Sequence, residues 1–426
     1  MSTVRGRAWR LAVSAMLLAL ALSLWPAGRF HAQEPSPPPP PADVAPVWSA
    51  GAAGTLKTGA RLIPAVVYKA GDGHIHELAL KAAWRHTDLT AESGGPSPYD
   101  QIMAFTRGDG VSMIVYKGWD RHIHTIYLEL VRQGNSWHEH WKWADLTAIT
   151  GAPDAASEPY GYVRSDGIAA VVYGGYDEYH IHELWLDNGW HWADLTALSG
   201  APIADGFRRP MPYVRGDGVN AVAYAALPSG HLCELRLEGG WKWADLTALS
   251  GAPRPASGLS AYVRSDGIST INYARTDGHV YDLRLENGWR WADLTALSGA
   301  PGEGLIALQP SGYVRSDGIN AVLYATAPSQ GSLLYELRLD NGWRYYELTA
   351  VPNAARGYDP TGYVRADGIS AVVYRSTDGH IQELRLGTTW QSADLTSLAA
   401  APIAVADPWP YNRSTISSVY LPMIAR

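Results

Sequence analysis

The sequence predicts an all-β protein, a seven-bladed β-propeller built from four-stranded antiparallel blades. Three observations predict this fold. A unit of about 50 residues recurs seven times along the chain. Each unit divides into four short strand-like segments, and Asp-Gly or Asn-Gly pairs suited to tight hairpin turns separate several of them. No stretch shows a convincing 3.6-residue apolar period, which excludes a helical solenoid.

Two sequence marks define the repeat. The first is a short apolar segment ending in tyrosine, with 48 to 57 residues between successive tyrosines. The second is a tryptophan four residues before the acid of an Asp/Glu-Leu-Thr motif. The tyrosines are Tyr68, Tyr116, Tyr173, Tyr224, Tyr273, Tyr324 and Tyr374. The tryptophans are Trp84, Trp141, Trp190, Trp241, Trp289, Trp343 and Trp390.

The third unit illustrates the strand assignment. Its four strands are predicted at Gly161–Arg164, Ile168–Tyr173, His180–Leu186 and Trp190–Leu195. Four strands in a repeat of this length are the pattern of a propeller blade. The segment after Asp-Leu-Thr is rich in Gly, Ala and Pro, and we expect it to link one blade to the next.

Closure of the ring is predicted from the two ends of the repeat region. The first strand carries an aromatic residue and, two residues later, an arginine in units two to seven, but the first unit lacks this strand. A matching Tyr411-Asn412-Arg413 stretch occurs near the C terminus, followed by Ile416–Tyr420. We therefore expect the C-terminal segment to complete the first blade and to pair strand edges that would otherwise be open.

The N-terminal region is predicted to lie outside the propeller. Residues 1–32 combine an acid-free, arginine-containing start with an apolar run, which is the pattern of an export signal. The run is close to the length that spans a bilayer, so the segment is either a cleaved signal peptide or an N-terminal membrane anchor. Residues 33–46 form a proline-rich linker, and the propeller occupies residues 47–426. The expected location is secreted and extracellular, or extracellular and anchored.

Composition restricts the partners and the source of stability. The single cysteine, Cys233, excludes an intrachain disulfide, so 18 Trp and 24 Tyr must supply much of the buried apolar area. A formal net charge of −7 without a basic patch argues against nucleic acid as a partner.

The fourth strand carries both repeated and variable positions. The opening tryptophan is expected to pack between blades, and the Asp and Thr are expected to bond backbone N–H groups of the following turn. A second aromatic position, two residues after the tryptophan, varies as a half-exposed or ligand-facing position would. It holds His86, Trp143, Trp192, Trp243, Trp291, Tyr345 and Ser392.

The third strand carries the most suggestive chemistry. Three units have a His-x-His pair, which alternation places on one face of the strand. A hydrogen-bonded rim histidine is favoured over a metal ligand, because other residues replace the second histidine in the remaining units, and no metal or cofactor is predicted. The acid that follows recurs in six units, and an arginine stands two residues later in four: Arg236, Arg284, Arg338 and Arg385. An in-strand ion pair between blades and a ligand-binding role both remain open for this acid.

At these residues the sequence resembles the six-bladed fucose-binding lectins of the Aleuria type and related bacterial and fungal propeller lectins. The matching stretch is Val66–Glu77, followed by the fourth-strand tryptophan, and the resemblance extends over roughly residues 59–401. It implies a sugar bound between neighbouring blades. A third-strand Glu and a second-strand Arg would bond its hydroxyls, and a tryptophan of the next blade would cover its apolar face.

The resemblance transfers only in part to this chain. The implied ligand-binding residues, between blades, are Glu77, Glu183, Glu234, Asp282, Glu336, Glu383, Trp84, Trp141, Trp190, Trp241, Trp289, Trp343 and Trp390. Thr125 replaces the acid in the second unit, and there are seven units instead of six. The position of the family's arginine holds Ala65, Met113, Ala170, Ala221, Thr270, Ala321 and Ala371.

The favoured function is a multivalent carbohydrate-binding propeller without catalytic activity, with glycans, fucosylated ones among them, as partners. The alternative is an extracellular protein-interaction or structural scaffold. Exposed second aromatics and poorly paired acids would favour the lectin, whereas ion pairs closing every cleft would favour the scaffold.

An enzyme is not favoured, because the prominent acids are repeat positions and no nucleophile, phosphate-loop or zinc-site pattern occurs. The second unit contains one insertion, Val131–His140, with His138, Glu139 and His140. We expect either a local metal or contact site there or ordinary solvated loop residues.

Overall fold

A computed structural model of the protein describes residues 60–416, except residues 135, 177, 207, 303–308 and 328–331. The predicted export or anchor segment and the predicted linker lie outside the described residues, as do residues 417–420 of the predicted closing segment. Within the described part of the chain, no helix combines the length and hydrophobicity needed to cross a bilayer.

The described residues form seven four-stranded antiparallel sheets, as predicted. In chain order the strands are β1 (Ala60–Lys69), β2 (Ile75–Leu80), β3 (Trp84–Asp88), β4 (Pro98–Thr106), β5 (Ser112–Gly118), β6 (Ile123–Gln133), β7 (Ser136–Asp145), β8 (Tyr160–Val163), β9 (Ala169–Gly174), β10 (Ile181–Leu186), β11 (Trp190–Asp194), β12 (Met211–Val214), β13 (Asn220–Ala225), β14 (Leu232–Leu237), β15 (Trp241–Asp245), β16 (Leu259–Val263), β17 (Ser269–Ala274), β18 (Val280–Leu285), β19 (Trp289–Asp293), β20 (Ser311–Val314), β21 (Asn320–Ala325), β22 (Leu334–Leu339), β23 (Trp343–Glu347), β24 (Gly357–Val364), β25 (Ser370–Ser376), β26 (Ile381–Leu386), β27 (Trp390–Asp394) and β28 (Trp409–Ile416). Blade 1 contains β28, β1, β2 and β3 in that order, and blades 2 to 7 each contain four consecutive strands.

The first strands of the blades form a closed circuit. Strand β4 contacts β8, β8 contacts β12, and the series continues through β16, β20 and β24 to β28, which contacts β4. The first strand is therefore the innermost strand of each blade and the fourth strand is the outermost. This arrangement confirms the predicted seven-bladed β-propeller.

Burial within a blade follows strand position. All six residues of β9, a second strand, are buried, because each face of an inner strand is covered by a neighbouring blade. The outermost strand β11 has two exposed residues. The predicted tight turns are present: Gly167 has φ +84° after the first strand, and Asn188 has φ +52° before the fourth.

The C-terminal segment closes blade 1, as predicted. Strand β28 pairs antiparallel with β1, from Arg61 opposite Thr415 to Val67 opposite Trp409. Tyr411 lies opposite Ala65, in the register by which the first strands of the other blades meet their second strands. This pairing covers the edge of β1 that would otherwise expose unpaired backbone groups.

A one-turn helix follows six fourth strands of the described chain, where the sequence predicts only a link rich in Gly, Ala and Pro. The helices are α1 (Leu89–Ser93), α2 (Leu146–Thr150), α3 (Leu195–Ser199), α4 (Leu246–Ser250), α5 (Leu294–Ser298) and α6 (Leu395–Ala399). Blade 6 has a 3₁₀ turn at Leu348–Ala350 instead, and Glu347 makes no side-chain cap there.

The Asp-Leu-Thr motif fastens the fourth strand to the third. One Asp194 oxygen accepts the N–H of Ala197 at 2.8 Å and caps α3, as predicted for a turn. Thr196 differs from the prediction: its hydroxyl accepts the N–H of Ile181, at the start of the third strand, at 2.9 Å. The motif is therefore part of the blade framework.

Candidate functional site

The six third-strand acids with a predicted ligand role are buried. Their exposed fractions are 2% or less for Glu77, Glu183, Glu234, Asp282, Glu336 and Glu383. An unpaired buried carboxylate would be costly, so each one needs polar partners within the protein.

Those partners come mainly from the innermost strand of the same blade. In blade 3 the Tyr162 hydroxyl donates to Glu183 at 2.8 Å, and Arg164 lies 3.8 Å from the other carboxylate oxygen. In blade 7 the Arg365 guanidinium donates to Glu383 at 2.9 Å. The equivalent Tyr, Arg and Glu contacts also occur in blades 1, 4 and 6.

The tyrosine lies over the position where the resemblance implies an arginine. Tyr162 is directly opposite Ala170 in the first pair of strands of blade 3, and its hydroxyl reaches across to Glu183. The small alanine leaves room for the tyrosine ring. The absence of the family's arginine is thus matched by a first-strand tyrosine and arginine that bind the same acid.

Blade 5 holds its shorter acid differently. The hydroxyl of Thr270 and the amide of Asn272 donate to Asp282, and Arg284 lies 3.4 Å from it. Arg284 is the in-strand arginine two residues after the acid, so one of the predicted in-strand pairs is present. In blade 4, Arg236 pairs with Glu238 instead.

Blade 2 replaces the whole set with less polar residues. Phe105 takes the tyrosine position, and it faces Met113 where most other blades have alanine. Thr125 takes the acid position and donates to the carbonyl of Ile114 at 3.0 Å. Removing the acid thus goes together with removing the tyrosine hydroxyl that would bind it.

Burial sets the protonation behaviour of the acids. Burial raises the pKa of Glu183, and the opposing effects of Tyr162 and Arg164 do not restore it to its usual value. The same cause raises the pKa of Glu234 in blade 4. In the described structure these carboxylates do not reach solvent, and their ligand role stays a prediction.

The seven opening tryptophans pack between blades. Trp84, Trp141 and Trp390 are buried, and the other four are half-buried. Trp141 of blade 2 lies in a hydrophobic cluster with residues of blade 1, and the Arg413 guanidinium lies 5.2 Å from its ring centroid. The packing role agrees with the sequence expectation, and the ligand role of these tryptophans also stays a prediction.

The second aromatic position provides the repeated exposed surface. The exposed fractions are 37 to 44% for Trp143, Trp192, Trp243, Trp291 and Tyr345. In blade 3 the exposed ring ends a series across the sheet, with ring centroids 5.4 Å apart for Tyr173 and His182 and 5.8 Å apart for His182 and Trp192.

An exposed aliphatic side chain accompanies most of these aromatics. Helix α3, which carries the 62% exposed Leu198, contacts strand β15 of the next blade, which carries Trp243. The same helix position is exposed in Ile149, Leu249, Leu297 and Leu398. We call these five exposed aromatics at the second aromatic position, with these helix residues, the rim surface.

The histidines of the third strand bind acids of the blade framework. His180 Nδ1 lies 2.6 Å from the Asp194 oxygen that does not cap α3. His76 lies between Asp72, at 3.0 Å, and His86, at 2.7 Å, whereas His74 Nδ1 lies 2.8 Å from Asp88.

Among the described residues, three groups of one histidine and two acids lie close enough together to hold a metal ion. They are Asp72, His74 and Asp88; Asp120, His122 and Asp145; and Glu178, His180 and Asp194. In each group the same histidine–aspartate contact supports the cap of the following helix.

The insertion in blade 2 is a contact site. It extends the β6–β7 hairpin so that Glu139 accepts from Arg413 at 2.6 Å and from Thr415 at 2.6 Å, both in β28. Burial opposes ionisation, but Arg413 and Thr415 hold the pKa of Glu139 at about 2. The hairpin thereby fastens the closing strand. We expected either a local metal or contact site or ordinary solvated loop residues here, and the structure shows a contact site.

Four acids outside the repeat pattern lie near the end of the ring where the first strands begin. They are Asp100, Glu158, Asp359 and Asp407. Burial, the charge of Asp407 and a hydrogen bond with Asp407 raise the pKa of Asp359 to about 8. Non-repeated acids therefore occur beside the axis of the ring, and the absence of catalysis stays a prediction.

Comparison with solved structures shows the fold. The chain is similar to the BP39L lectin from Burkholderia pseudomallei, with a TM-score of 0.51 and 12% identity over 81% of this chain and 99% of that one. AofleA from Arthrobotrys oligospora matches at a TM-score of 0.46 and 14% identity, over 74% of this chain and 89% of that chain. The Aleuria aurantia lectin, described as six-bladed with a novel fucose recognition mode, matches at 0.45 and 12%, over 72% and 95%. No protein-family model and no curated protein sequence matches. At 12% identity, the likeness to BP39L concerns the fold alone.

Proposed function

We propose that the protein is a multivalent carbohydrate-binding β-propeller that acts outside the cell without catalysis, and that its sugars stack on the rim surface. The observation that carries the proposal is the recurrence of a large exposed aromatic ring at one position in five blades. Single exposed apolar residues are ordinary, but a repeated set at equivalent positions presents equivalent binding surfaces.

The chemistry of the rim surface suits a pyranose. An indole ring offers an extended apolar face to the C–H groups of a sugar. The helix of the preceding blade contacts this strand, as α3 with the exposed Leu198 contacts β15 with Trp243, and it adds further apolar surface. Each contact would be weak, and several on one propeller would raise avidity by about 10²–10⁴ on a dense glycan surface.

The buried acids and opening tryptophans have a supporting role in this proposal. Glu234, for example, is fully buried and bonded to Tyr213, so it holds the blade that presents Trp243. The name of BP39L as a lectin favours carbohydrate as the ligand class, and fucosylated glycans are included among the candidates.

One observation favours a protein-interaction or structural scaffold instead. In every acid-bearing blade, polar groups of the same blade bind the carboxylate, so no acid remains open toward a cleft. A protein-interaction or structural scaffold is expected to have closed clefts between its blades. Stacking of sugars on the rim surface does not depend on these acids.

A glycan array with fucosylated and non-fucosylated ligands tests the proposal. We expect the purified protein to bind, and the double variant Trp192→Ala, Trp243→Ala to lose signal while it keeps its β-sheet circular dichroism spectrum. Trp137→Ala is the matched control, because Trp137 is 41% exposed but lies at the hairpin turn outside the rim surface. A folded wild-type protein that binds no glycan class would overturn the proposal and leave the scaffold.

A further inference from the structure

Tyr99 and Trp119 form an exposed aromatic pair outside the rim surface. Such a pair occurs once among the described residues. Trp119 is the most exposed of the large hydrophobic side chains of the described residues, at 69%, and Tyr99 is 45% exposed. Their ring centroids are 4.8 Å apart and the planes meet at 64°. We call this pair the aromatic corner.

The corner lies at the end of the ring where first strands begin. Tyr99 is near the start of β4, the innermost strand of blade 2. Trp119 directly follows the second strand of the same blade, and Lys69 ends the second strand of blade 1. The corner therefore lies on the propeller end opposite the β6–β7 turn, and it is separate from the fourth-strand positions of the rim surface.

Two lysines lie near the aromatic corner, and only one of them forms an ion pair with a described carboxylate. Lys117 is buried 4.5 Å from the centroid of the Tyr99 ring, and Glu158 pairs with it at 3.1 Å. Lys69 lies 5.9 Å from the centroid of the Trp119 ring and donates to the carbonyl of Tyr99 at 2.7 Å. Among the described residues no carboxylate forms an ion pair with Lys69.

We propose that the aromatic corner is a single-copy binding site for a sugar that carries a carboxylate, such as a hexuronate unit of an acidic glycan. The C–H face of the ring stacks on Trp119, and the carboxylate accepts charge-assisted hydrogen bonds from Lys69. A neutral sugar hydroxyl accepts a weaker hydrogen bond from this ammonium than a carboxylate does, and a cationic ligand is repelled by it.

Asp100 offers a second test of the role of charge, in which binding of the acidic sugar should become stronger. This exposed residue follows Tyr99 directly and interacts electrostatically with Lys69. Its negative charge opposes an anionic ligand. Replacing it with asparagine therefore strengthens binding of a uronate, whereas replacing Lys69 with methionine weakens it.

The experiment is a titration of the full-length protein with an oligogalacturonate, compared with a neutral galactan oligomer of the same length. We expect tighter binding of the acidic oligomer, reduced by salt. Trp119→Ala should weaken that binding about tenfold, which corresponds to about 1.4 kcal/mol. Lys69→Met should remove the preference for the acidic oligomer, and Asp100→Asn should increase it.

The controls separate this site from the rim surface and from general charge effects. Trp137→Ala and Lys142→Met change an exposed tryptophan and an exposed lysine elsewhere in blade 2, and they should leave binding unchanged. Equal binding of polyglutamate, equal binding of the neutral oligomer, or unchanged binding by Trp119→Ala would overturn the proposal. Loss of neutral-glycan binding in the Trp192 and Trp243 variants concerns the rim surface alone, so failure of one proposal is distinguishable from failure of the other.

Discussion

Blades 2 and 4 have the same four strands but different interiors. In blade 4 the Tyr213 hydroxyl donates to Glu234 at 2.5 Å, and Arg215 lies 3.4 Å from the same carboxylate. In blade 2 the corresponding places hold Phe105 and Thr125, without a carboxylate. A blade of this protein therefore forms with or without a buried third-strand carboxylate.

The comparison shows that the repeated acid belongs to a set. In five of the six acid-bearing blades a first-strand hydroxyl and guanidinium contact the acid, and in blade 5 second- and third-strand groups contact Asp282 instead. In blade 2, which lacks the acid, the first-strand hydroxyl is absent as well. Isolated loss of one member should therefore be more damaging than exchange of the whole set, because a buried charge or donor left without its partner is strongly destabilising.

The largest effect is expected from Glu234→Ala. This change leaves Arg215 and the Tyr213 hydroxyl without their buried acceptor, and the free energy of unfolding should fall by about 3–5 kcal/mol. Denaturant unfolding measures the loss. Thr125→Ala, at the same place in blade 2, is the control and should cost about 1 kcal/mol. Equal losses for the two variants would contradict the assigned role of the acid.

A smaller effect is expected when the blade 4 set is converted to that of blade 2. The triple variant Tyr213→Phe, Ala221→Met, Glu234→Thr should unfold at a higher denaturant concentration than Glu234→Thr alone, because it removes the orphaned hydroxyl and fills the vacated space. Coupling between contacting residues of this kind is typically about 0.5–3 kcal/mol. If the stability losses of the single substitutions simply add up in the triple variant, the three residues do not act as a set.

The pH dependence should separate the half-buried Glu139 of blade 2 from the buried Glu234 of blade 4. Glu139 in the blade 2 hairpin has a pKa of about 2, below its unfolded value, so its contribution to stability is present above the unfolded pKa and is lost as the pH falls toward 2. Glu234 has a raised pKa, so its contribution is largest below the unfolded pKa and declines as the pH rises through the folded pKa.

Melting temperatures measured between pH 3 and 8 check this contrast. The loss caused by Glu139→Gln should grow with rising pH, whereas the loss caused by Glu234→Gln should shrink. Parallel slopes for the two variants would contradict the opposite directions of the two pKa shifts.

The architecture was predictable because it repeats. The spacing of the tyrosines gave seven units, and Tyr411 with Arg413 supplied the first strand that blade 1 lacked. The helices after the fourth strands were not predictable in this way. They have five residues at most, too few to establish a helical period.

The partners of the acids were harder to predict. Tyr162 and Glu183 are 21 residues apart on strands that are not neighbours, and spacing alone does not reveal that a tyrosine crosses Ala170 to reach the acid. One signal was present in the sequence. The only unit with Thr125 instead of an acid is also the only one with phenylalanine, Phe105, at the first-strand position.

We propose that the acid holds the blade while the exposed aromatic binds the ligand, and blade 4 offers both residues for one measurement. Calorimetric titration with the best ligand from the array would give the binding stoichiometry of Trp243→Ala and Glu234→Gln. We expect one site fewer for Trp243→Ala at unchanged stability, and unchanged stoichiometry with reduced stability for Glu234→Gln. Loss of a site in Glu234→Gln, with full binding retained by Trp243→Ala, would contradict it.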